Sequence, residues 1–267
     1  MKIVNFTSGL GNQIFQYIFV EYLKEKHPQH KIYGYYNAKK LQKHNGLEVD
    51  KVFELQLPHH TRWSNCVAWF SRKLNGVGIK GLKSTDENYC ERAIYYDGWW
   101  QDKKYFLDTF VKIRFRKFEL DSINTDLLNK IENSQSVFVH IRRGDYLAPE
   151  HIAQYGGICT DDYYRKGLEM VSNHFNNPHF FIFSNDIKWV KDNMDIPNSV
   201  YVDNNEGYNS YIDMFLMSNC KGAILANSSF SYWGAMLNRN NPIVVYPQKW
   251  FNTRTPPDIF PKRWISI

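Results

Sequence analysis

The residues of this chain best suited to chemistry are two adjacent arginines in the stretch His140-Ile141-Arg142-Arg143-Gly144-Asp145-Tyr146. They follow an apolar run, residues 136–139, which predicts the end of a buried strand, and the glycine then predicts a turn. In an open α/β sheet, ligands bind beyond the carboxyl ends of the strands, and a guanidinium group matches phosphate oxygens at any relevant pH. The stretch therefore predicts a site for a phosphorylated ligand. A solvated loop in which one arginine pairs with Asp145 is the alternative.

A second candidate site is the turn Thr7-Ser8-Gly9-Leu10-Gly11, which joins a predicted strand to a predicted helix. It departs from the dinucleotide-binding fingerprint because Ile14 replaces the third glycine and no acidic residue follows the second predicted strand. It is not a P-loop either, because no Gly-Lys-Ser/Thr follows. What remains is a turn whose free N–H groups suit an anion or a sugar oxygen, with the amides of Asn12 and Gln13 beside it. A plain strand-to-helix connection would use the same residues.

Two further turns carry polar side chains where predicted strands end, Phe183-Ser184-Asn185-Asp186 and Ala226-Asn227-Ser228-Ser229-Phe230-Ser231. Serines that open a helix are usually caps. In the second turn three serines cluster with an asparagine, so its backbone N–H groups could hold a nucleotide phosphate or ribose.

The chain contains no Asp-x-Asp pair, so the carboxylates that bridge a metal ion and a diphosphate in one class of nucleotide-sugar enzymes are missing. Charge on a departing diphosphate would then be met by Arg142 or Arg143 and by helix N-termini. Adjacent side chains of an extended segment point in opposite directions. We therefore expect Arg142 to face the ligand while Arg143 braces the loop through Asp145. The carboxylates of Asp145, Asp186 and Asp213 are the candidate proton acceptors, although an ion pair would weaken Asp145 as a base.

Composition describes an ordinary globular chain of 267 residues, 43% hydrophobic and 22% charged, with 16% aromatic residues that also suit carbohydrate surfaces. The net charge of +6 comes without a long basic run, so nucleic-acid binding is not indicated. No stretch approaches the ~18 apolar residues of a membrane span, and no signal peptide is predicted, so any membrane contact would be peripheral. The 4 cysteines form no C-x-x-C pair, which argues against zinc and redox motifs and fits a cytoplasmic protein.

Alternation of strands and helices predicts an α/β protein with parallel, doubly wound sheets. A strand-helix opening at residue 2 and a second one near residue 136 predict two Rossmann-like lobes, residues 1–133 and 134–267, with a ligand cleft between them. The predicted strands are Lys2–Phe6, Lys31–Tyr36, 136–140, His179–Ser184, Ser199–Val202, Gly222–Ala226 and Pro242–Tyr246. The predicted helices are Asn12–Lys26, Ile123–Ile131, Asp161–His174, Asp186–Asn193, Asn209–Asn219 and one that begins within 227–231. Residues 37–117 give no clear pattern.

Together these stretches resemble the bacterial α1,2-fucosyltransferases of glycosyltransferase family 11. The family's Gly-Leu-Gly-Asn-Gln-x-Phe-Gln-Tyr start is matched by Gly9–Tyr17, and its His-x-Arg-Arg-Gly-Asp-Tyr centre by His140–Tyr146. Its Ala-Asn-Ser-Ser-Phe-Ser block is matched by Ala226–Ser231. The order and spacing of the three matches span nearly the whole chain. Departures are Ser8 for a frequent glycine, Asn185 for aspartate, Gly222 for histidine and Tyr232 for tryptophan.

The resemblance implies a GT-B-type fold whose first lobe serves the acceptor and whose second lobe binds the donor, GDP-fucose. It implies inverting transfer of fucose to the 2-hydroxyl of a terminal galactose on a glycan, without a metal or another cofactor. Residues 37–117 carry little family signal, which leaves the acceptor less defined than the donor. The alternatives are transfer from another GDP-sugar and a non-catalytic glycan-binding protein whose aromatic side chains stack on sugars.

Carried over residue by residue, the resemblance makes Arg142 the ligand of the β-phosphate and, with Asp145, a catalytic residue. His140 and Asp186 become candidates for contacts to the nucleobase or the ribose, and Asn12 and Gln13 for contacts near fucose. The implied donor-binding residues are Gly11, Asn12, Gln13, His140, Arg142, Arg143, Ser184, Asp186, Asn227, Ser228, Ser229 and Phe230, with no metal ligand.

Overall fold

The chain divides into two compact units, Met1–Arg116 and Lys117–Ile267, in a computed structural model that describes residues 1–106 and 113–267. Each unit contains its own parallel sheet, with helices between most of the successive strands. The α/β class predicted from the alternation of strands and helices is therefore confirmed.

The described part of the first unit has a sheet of four parallel strands in the order β2-β1-β4-β3. Strands β1 to β4 are Lys2–Phe6, Ile32–Tyr36, Lys83–Ser84 and Tyr95–Tyr96. Helices α1 to α4 are Leu10–Lys26, Ala38–Leu41, Val49–Val52 and Arg62–Gly76, and a 3-10 helix covers Lys103–Tyr105. The first three predicted elements lie within two residues of these bounds.

Aromatic packing closes the core of the first unit. The ring of Phe19 on α1 stacks on Trp100 with centroids 3.9 Å apart, and Tyr105 meets Phe19 edge-on at 4.9 Å. Residues 37–117, which gave no clear secondary-structure pattern, thus contribute a buried side chain to the core, since Trp100 is 1% exposed. Offset and edge-on ring pairs stabilise a core beyond their buried area.

The described part of the second unit has a sheet of six parallel strands in the order β10-β9-β8-β5-β6-β7. Strands β5 to β10 are Ser136–Ile141, His179–Ser184, Ser199–Val202, Gly222–Ile224, Ile243–Tyr246 and Ile265–Ser266. Helices α5 to α10 are Ser122–Glu132, Ile152–Tyr155, Asp161–His174, Ile187–Asn193, Tyr211–Met217 and Ser229–Met236. Two 3-10 helices cover Gly144–Leu147 and Gly207–Asn209.

The strand order of the second sheet reverses between β5 and β8. The chain places β6 and β7 on one side of β5 and then returns to place β8, β9 and β10 on the other side. Such a reversal opens a crevice outside the carboxyl ends of the two central strands. Arg142 directly follows β5, and Asn227 follows β8 closely, so the two principal motifs of the sequence lie at this crevice.

The division between the units falls between residues 116 and 117, earlier than the expected boundary between 133 and 134. The reason is helix α5, which packs against strand β5 directly after it and against α9, so that it belongs to the second sheet. The apolar pattern of residues 123–131 predicts this helix but does not indicate which sheet covers its apolar side.

Short elements account for most of what the sequence analysis did not assign. Helices α2, α3 and α6 have four residues each, and strands β3, β4 and β10 have two, too few to show a period. Helix α4 was missed for another reason. Its buried residues are small, Ser64, Ala68 and Ser71, so its large apolar side chains do not mark the face that packs on the sheet.

The contact between α9 and α10 predicts a stability effect at Gly234. A Cβ atom added there would lie 2.8 Å from Cβ of Met217, closer than such atoms approach in folded proteins. We expect Gly234→Ala to lower the free energy of unfolding by about 1–3 kcal/mol in denaturant titrations, because the two helices must move apart. Gly76→Ala, where no atom lies within 4 Å, is the matched control and should cause no loss. Equal stability of both variants would contradict the close packing.

Candidate active site at the carboxyl ends of the second sheet

Arg142 is held in place by Asp145. Nη2 of the guanidinium donates to Oδ2 of Asp145 at 3.0 Å, and Nε lies 2.9 Å from Oδ1. The Arg142 side chain is 25% exposed, so it can be reached from solvent while both of these nitrogens are oriented. A charge held in a defined geometry at the end of a strand suits an anion that binds in the crevice.

Arg143 is placed differently from its neighbour. Its Cζ lies 3.3 Å from the centre of the Trp189 ring, and its Nε lies 3.7 Å from Oδ2 of Asp186. The structure therefore corrects the expectation that Arg143 braces the loop through Asp145, since Asp145 contacts Arg142 instead. The physical reason is that the Arg143 side chain points away from that of Arg142. It therefore lies at the start of α8, where it contacts the indole face of Trp189 and the carboxylate of Asp186.

The loop between the two arginines and the 3-10 helix is fixed by Asn185. Its Oδ1 accepts from the backbone N–H of Arg143 at 3.0 Å, and its Nδ2 donates to Asp145 at 3.4 Å. A Cβ on Gly144 would lie 2.2 Å from Nδ2 of Asn185, so only glycine permits this approach. Asn185 and Trp189 were not among the predicted site residues, although both lie within four residues of Asp186, where a polar turn was recognised.

His140 is neutral and buried beside this loop. The side chain is 4% exposed, and its Nδ1 has no hydrogen-bond partner within the described residues. Burial, reinforced by the positive charge of Arg142, lowers the pKa of His140 to about 3. The ring lies 6.0 Å from that of Phe230 at the start of α10. An uncharged imidazole with a free nitrogen can donate to or accept from a polar ligand, but it does not serve as a cation.

The turn before α10 has a structural part and an accessible part. Asn227 is 3% exposed, and its Nδ2 donates to the backbone carbonyls of Trp250 and Tyr155 at 3.2 and 3.4 Å. Ser228 caps α10 by accepting from the N–H of Phe230 at 3.3 Å. Ser229 and Phe230 are only half-buried. The side chain of Asn227 is thus occupied within the protein, and Ser229 and Phe230 present the accessible surface of this turn.

Strand register and one hydrogen bond bring the two central motifs together. Val139 of β5 pairs with Ile224 of β8, so Arg142 and Asn227 each lie three residues beyond paired positions. The hydroxyl of Tyr146 donates to the backbone carbonyl of Asn227 at 2.9 Å. The arginine loop and the start of α10 therefore form one edge of the crevice.

The turn after β6 contributes mainly local capping. Oγ of Ser184 accepts from the N–H of Asp186 at 3.0 Å, and Oδ1 of Asp186 accepts from the N–H of Trp189 at 3.4 Å. The other oxygen of Asp186 faces Arg143, as described above. Ser184 and Asp186 are thus engaged in positioning the loop and the second arginine.

In the first unit, the glycine turn after β1 is tightly built. Gln13 is fully buried, and its amide donates to the carbonyls of Ser8 and Gly46 while accepting from the N–H groups of Glu48 and Val49. Its side chain therefore anchors the segment before α3 and offers no free atom to a ligand. Ser8 has a φ of +67°, the left-handed conformation that explains why glycine is frequent at this position in the resembled family.

Gly11 and Asn12 complete that turn. Gly11 is buried at the start of α1, whereas Asn12 is half-buried and its Oδ1 accepts from Nε2 of Gln101 at 3.0 Å. Asn12 keeps its amide nitrogen for other partners. Among the predicted site residues Gly11, Asn12 and Gln13, Asn12 is the one whose side-chain atoms lie near the surface.

Asp213 belongs to a buried polar network near the carboxyl end of β7. Asn205 donates to Oδ1 of Asp213 at 2.8 Å and exchanges two hydrogen bonds of 2.9 Å with Asn124. Burial raises the pKa of Asp213 to about 7, and the hydrogen bond from Asn205 only partly offsets this rise. Unlike Asp145 and Asp186, Asp213 contacts no cation among the described residues, so it can exchange a proton near neutral pH.

Two further properties concern metals and membranes. Across residues 1–106 and 113–267, no three side chains of His, Cys, Asp or Glu are grouped so that they could hold a metal ion. None of the helices in those residues combines the length and apolar character needed to cross a bilayer.

Comparison with known proteins gives consistent matches. The profile of Glycosyl transferase family 11 matches residues 4–267. The chain is 31% identical to an Alpha-1,2-colitosyltransferase of Escherichia coli over 99% of this chain and 98% of the relative. It is 30% identical to the O-antigen biosynthesis glycosyltransferase WbnK of Escherichia coli over 98% of each protein.

A solved structure shares the fold. The fucosyltransferase NodZ from Bradyrhizobium matches with a TM-score of 0.50 and 13% identity, covering 88% of this chain and 92% of NodZ. At this identity the likeness concerns the fold alone. It confirms the GT-B-type class expected from the sequence.

The network around Asp213 predicts a pH-dependent stability. The folded-state pKa of about 7 lies above the ordinary value of 3.8, so the folded protein retains a proton that the unfolded chain releases. Stability from this group is complete below about pH 4 and is lost as the pH rises through 7. We expect Asp213→Asn to be more stable than the wild type above pH 7, by on the order of 2–4 kcal/mol, with no difference near pH 4. A difference in free energy of unfolding between variant and wild type that stays constant from pH 4 to 8 would contradict this prediction.

Proposed function

The chain belongs to Glycosyl transferase family 11, and from this premise we propose that it transfers fucose from GDP-fucose to the 2-hydroxyl of a terminal galactose. The observation that carries the proposal is the oriented, accessible guanidinium of Arg142 at the crevice between β5 and β8. The name of the 31%-identical relative, which specifies an α-1,2 linkage, supports the choice of hydroxyl. The acceptor is a galactose-terminated glycan.

The donor diphosphate is the anion that the crevice suits best. Arg142 binds the β-phosphate, and the half-buried start of α10 adds the backbone N–H of Ser229 with the partial positive charge of a helix N-terminus. His140, with its free Nδ1 and its ring near Phe230, contacts the nucleoside part of the donor. Arg143, braced on Trp189 and Asp186, supports the loop.

The proposed reaction is a single displacement with inversion. The acceptor oxygen forms a bond to the anomeric carbon of fucose while the bond from that carbon to the β-phosphate oxygen breaks, and GDP leaves with the electron pair. Negative charge therefore grows on the β-phosphate during the reaction. Arg142 lowers the barrier because it interacts more strongly with this growing charge than with the intact donor. In this scheme the protein supplies the charge itself, without a metal cofactor.

The proton of the acceptor hydroxyl passes to a base, and the three carboxylates that are candidates for this role differ. Asp145 and Asp186 contact the two arginines, so we assign them to positioning. Asp213 has a pKa of about 7, close to that of an effective general base. It could instead accept hydrogen bonds from the N–H groups of guanine. The kinetics of Asp213→Asn separate these roles, because a base affects kcat, whereas a nucleobase contact affects KM for the donor.

Colitosyl transfer is the second candidate activity, favoured by the name of the relative that is 31% identical. Colitose is fucose without its 3-hydroxyl, so the two donors differ by one polar group. Competition between GDP-fucose and GDP-colitose for the purified protein identifies the donor. A lower KM and a higher kcat for GDP-fucose than for GDP-colitose support the proposal. The opposite result would identify the activity as colitosyl transfer.

The test of the proposed activity uses purified protein, GDP-fucose, lactose and EDTA. We expect a 2′-fucosylated product, identified by NMR, and a loss of about 100- to 1000-fold in kcat for Arg142→Ala, as for the removal of other groups that stabilise transition-state charge. Thermal unfolding checks that the variant is folded.

Arg165→Ala is the matched control. Arg165 pairs with Asp162 three residues away in the same spacing as Arg142 and Asp145, but it lies exposed on α7. Its replacement should leave turnover unchanged. Absence of a fucosylated product across several galactosides, or full activity of a folded Arg142→Ala variant, would overturn the proposal.

A further inference from the structure

Helix α4 packs on the first sheet with its small side chains. The buried residues Ser64, Ala68 and Ser71 are spaced by four and three positions, so they form one face of the helix. Ala68 packs against Ile3 and Tyr95 of the sheet. Val67 packs against the same cluster, but the other large apolar residues of α4 are on its outer side, which is the reverse of what an amphipathic helix of a globular protein shows.

The outer side of α4 and the turn after it form an apolar surface. Trp63 is 70% exposed and Phe70 is 57% exposed, seven positions apart on one face of the helix. Trp69 and Phe70 contact each other edge-on with ring centroids 4.9 Å apart. The further exposed members of this surface are Leu74, Val77 and Ile79. Contiguous exposed apolar surface of this kind marks an interaction site.

The same segment is uniformly basic. Residues 55–85 contain five cations and no aspartate or glutamate. Lys83 pairs with Asp97, whereas Arg62, Arg72, Lys73 and Lys80 have no ion-pair partner among the described residues. Nζ of Lys73 lies 5.7 Å from the centre of the Trp69 ring, so charge and aromatic surface adjoin.

Helices that lie in the interface of an anionic bilayer are typically rich in tryptophan, phenylalanine and leucine, with arginine and lysine beside them. The outer side of α4 has this composition. Indole rings favour the level of the lipid headgroups, and unpaired cations are attracted to the negative surface potential. A second copy of the chain would bring the same unpaired cations together, so charge complementarity favours the anionic lipid surface as the occupant.

We propose that the outer face of α4 and the turn after it, with Trp63, Phe70 and Lys73 on the helix and Lys80 in the turn, bind the surface of an anionic lipid bilayer. The chain then attaches to the membrane peripherally through its first unit. This proposal is independent of the donor site in the second unit. If the proposed transferase activity is correct, the attachment favours acceptor glycans that are linked to lipids.

The test is co-sedimentation of the purified full chain with vesicles of phosphatidylcholine alone or of equal parts phosphatidylcholine and phosphatidylglycerol. We expect binding to the anionic vesicles and weakening by salt. Lys73→Gln with Lys80→Gln should weaken binding about fivefold per cation removed. Trp63→Ser with Phe70→Ser should weaken it roughly tenfold or more, because apolar area is no longer buried in the interface.

Ile123→Ser is the matched control, since Ile123 is also 57% exposed but lies on α5 of the second unit. Its binding should equal that of the wild type, and circular dichroism should show that every variant is folded. Absence of vesicle binding, or equal binding by wild type and Trp63→Ser/Phe70→Ser, would overturn the proposal. Dimerisation through α4, lost in that double variant while vesicles are not bound, would also overturn it and assign the surface to a second copy.

Discussion

The ion pair between Arg142 and Asp145 is the interaction on which the proposed donor site depends. A free arginine side chain loses much rotational freedom when it binds a ligand, and this loss weakens binding. Here Asp145 orients the guanidinium during folding, with contacts of 2.9 and 3.0 Å, so a phosphate meets a group that is already in place. The same carboxylate offsets part of the positive charge. An anion of low charge is therefore stabilised little by Arg142, whereas a diphosphate whose negative charge grows during bond cleavage is stabilised more. Catalysis requires this stronger stabilisation of the transition state than of the intact donor.

The parallel sheet makes this arrangement stiff. Register places the ends of β5 and β8 side by side, and the bond from Tyr146 to the carbonyl of Asn227 ties the two loops together. Asn185 approaches Gly144 so closely that a Cβ atom at position 144 would force the Asn185 side chain to move. Residues that a motif presents as ligand contacts, such as Asn227 and Gln13, thus serve largely to position backbone. The accessible chemistry is concentrated in a few side chains at the edge of the crevice.

The sequence was most informative where one period dominates a long segment. The buried strand before Arg142 and the helix after Thr160 were predicted close to their observed bounds because apolar patterning, capping and turn residues agree. It could not show that Arg143 stacks on Trp189, since that contact depends on packing between elements far apart in the chain. It also missed α4, because the small buried side chains of that helix invert the pattern by which helices are recognised. The raised pKa of Asp213 depends on its burial in the folded chain and is likewise invisible in the sequence.

Membership of the family makes the chain a glycosyltransferase. The geometry of the second unit leads to a specific proposal, that the guanidinium of Arg142 binds the β-phosphate of the donor. The direct measurement is the ratio of affinities for GDP and GMP, by calorimetry, in the wild type and in Arg142→Ala. The nucleoside contacts cancel in this ratio, which leaves the contribution of the β-phosphate. We expect the wild type to bind GDP much more tightly than GMP and the variant to bind both nucleotides about equally. A preference for GDP that survives the loss of Arg142 would contradict it.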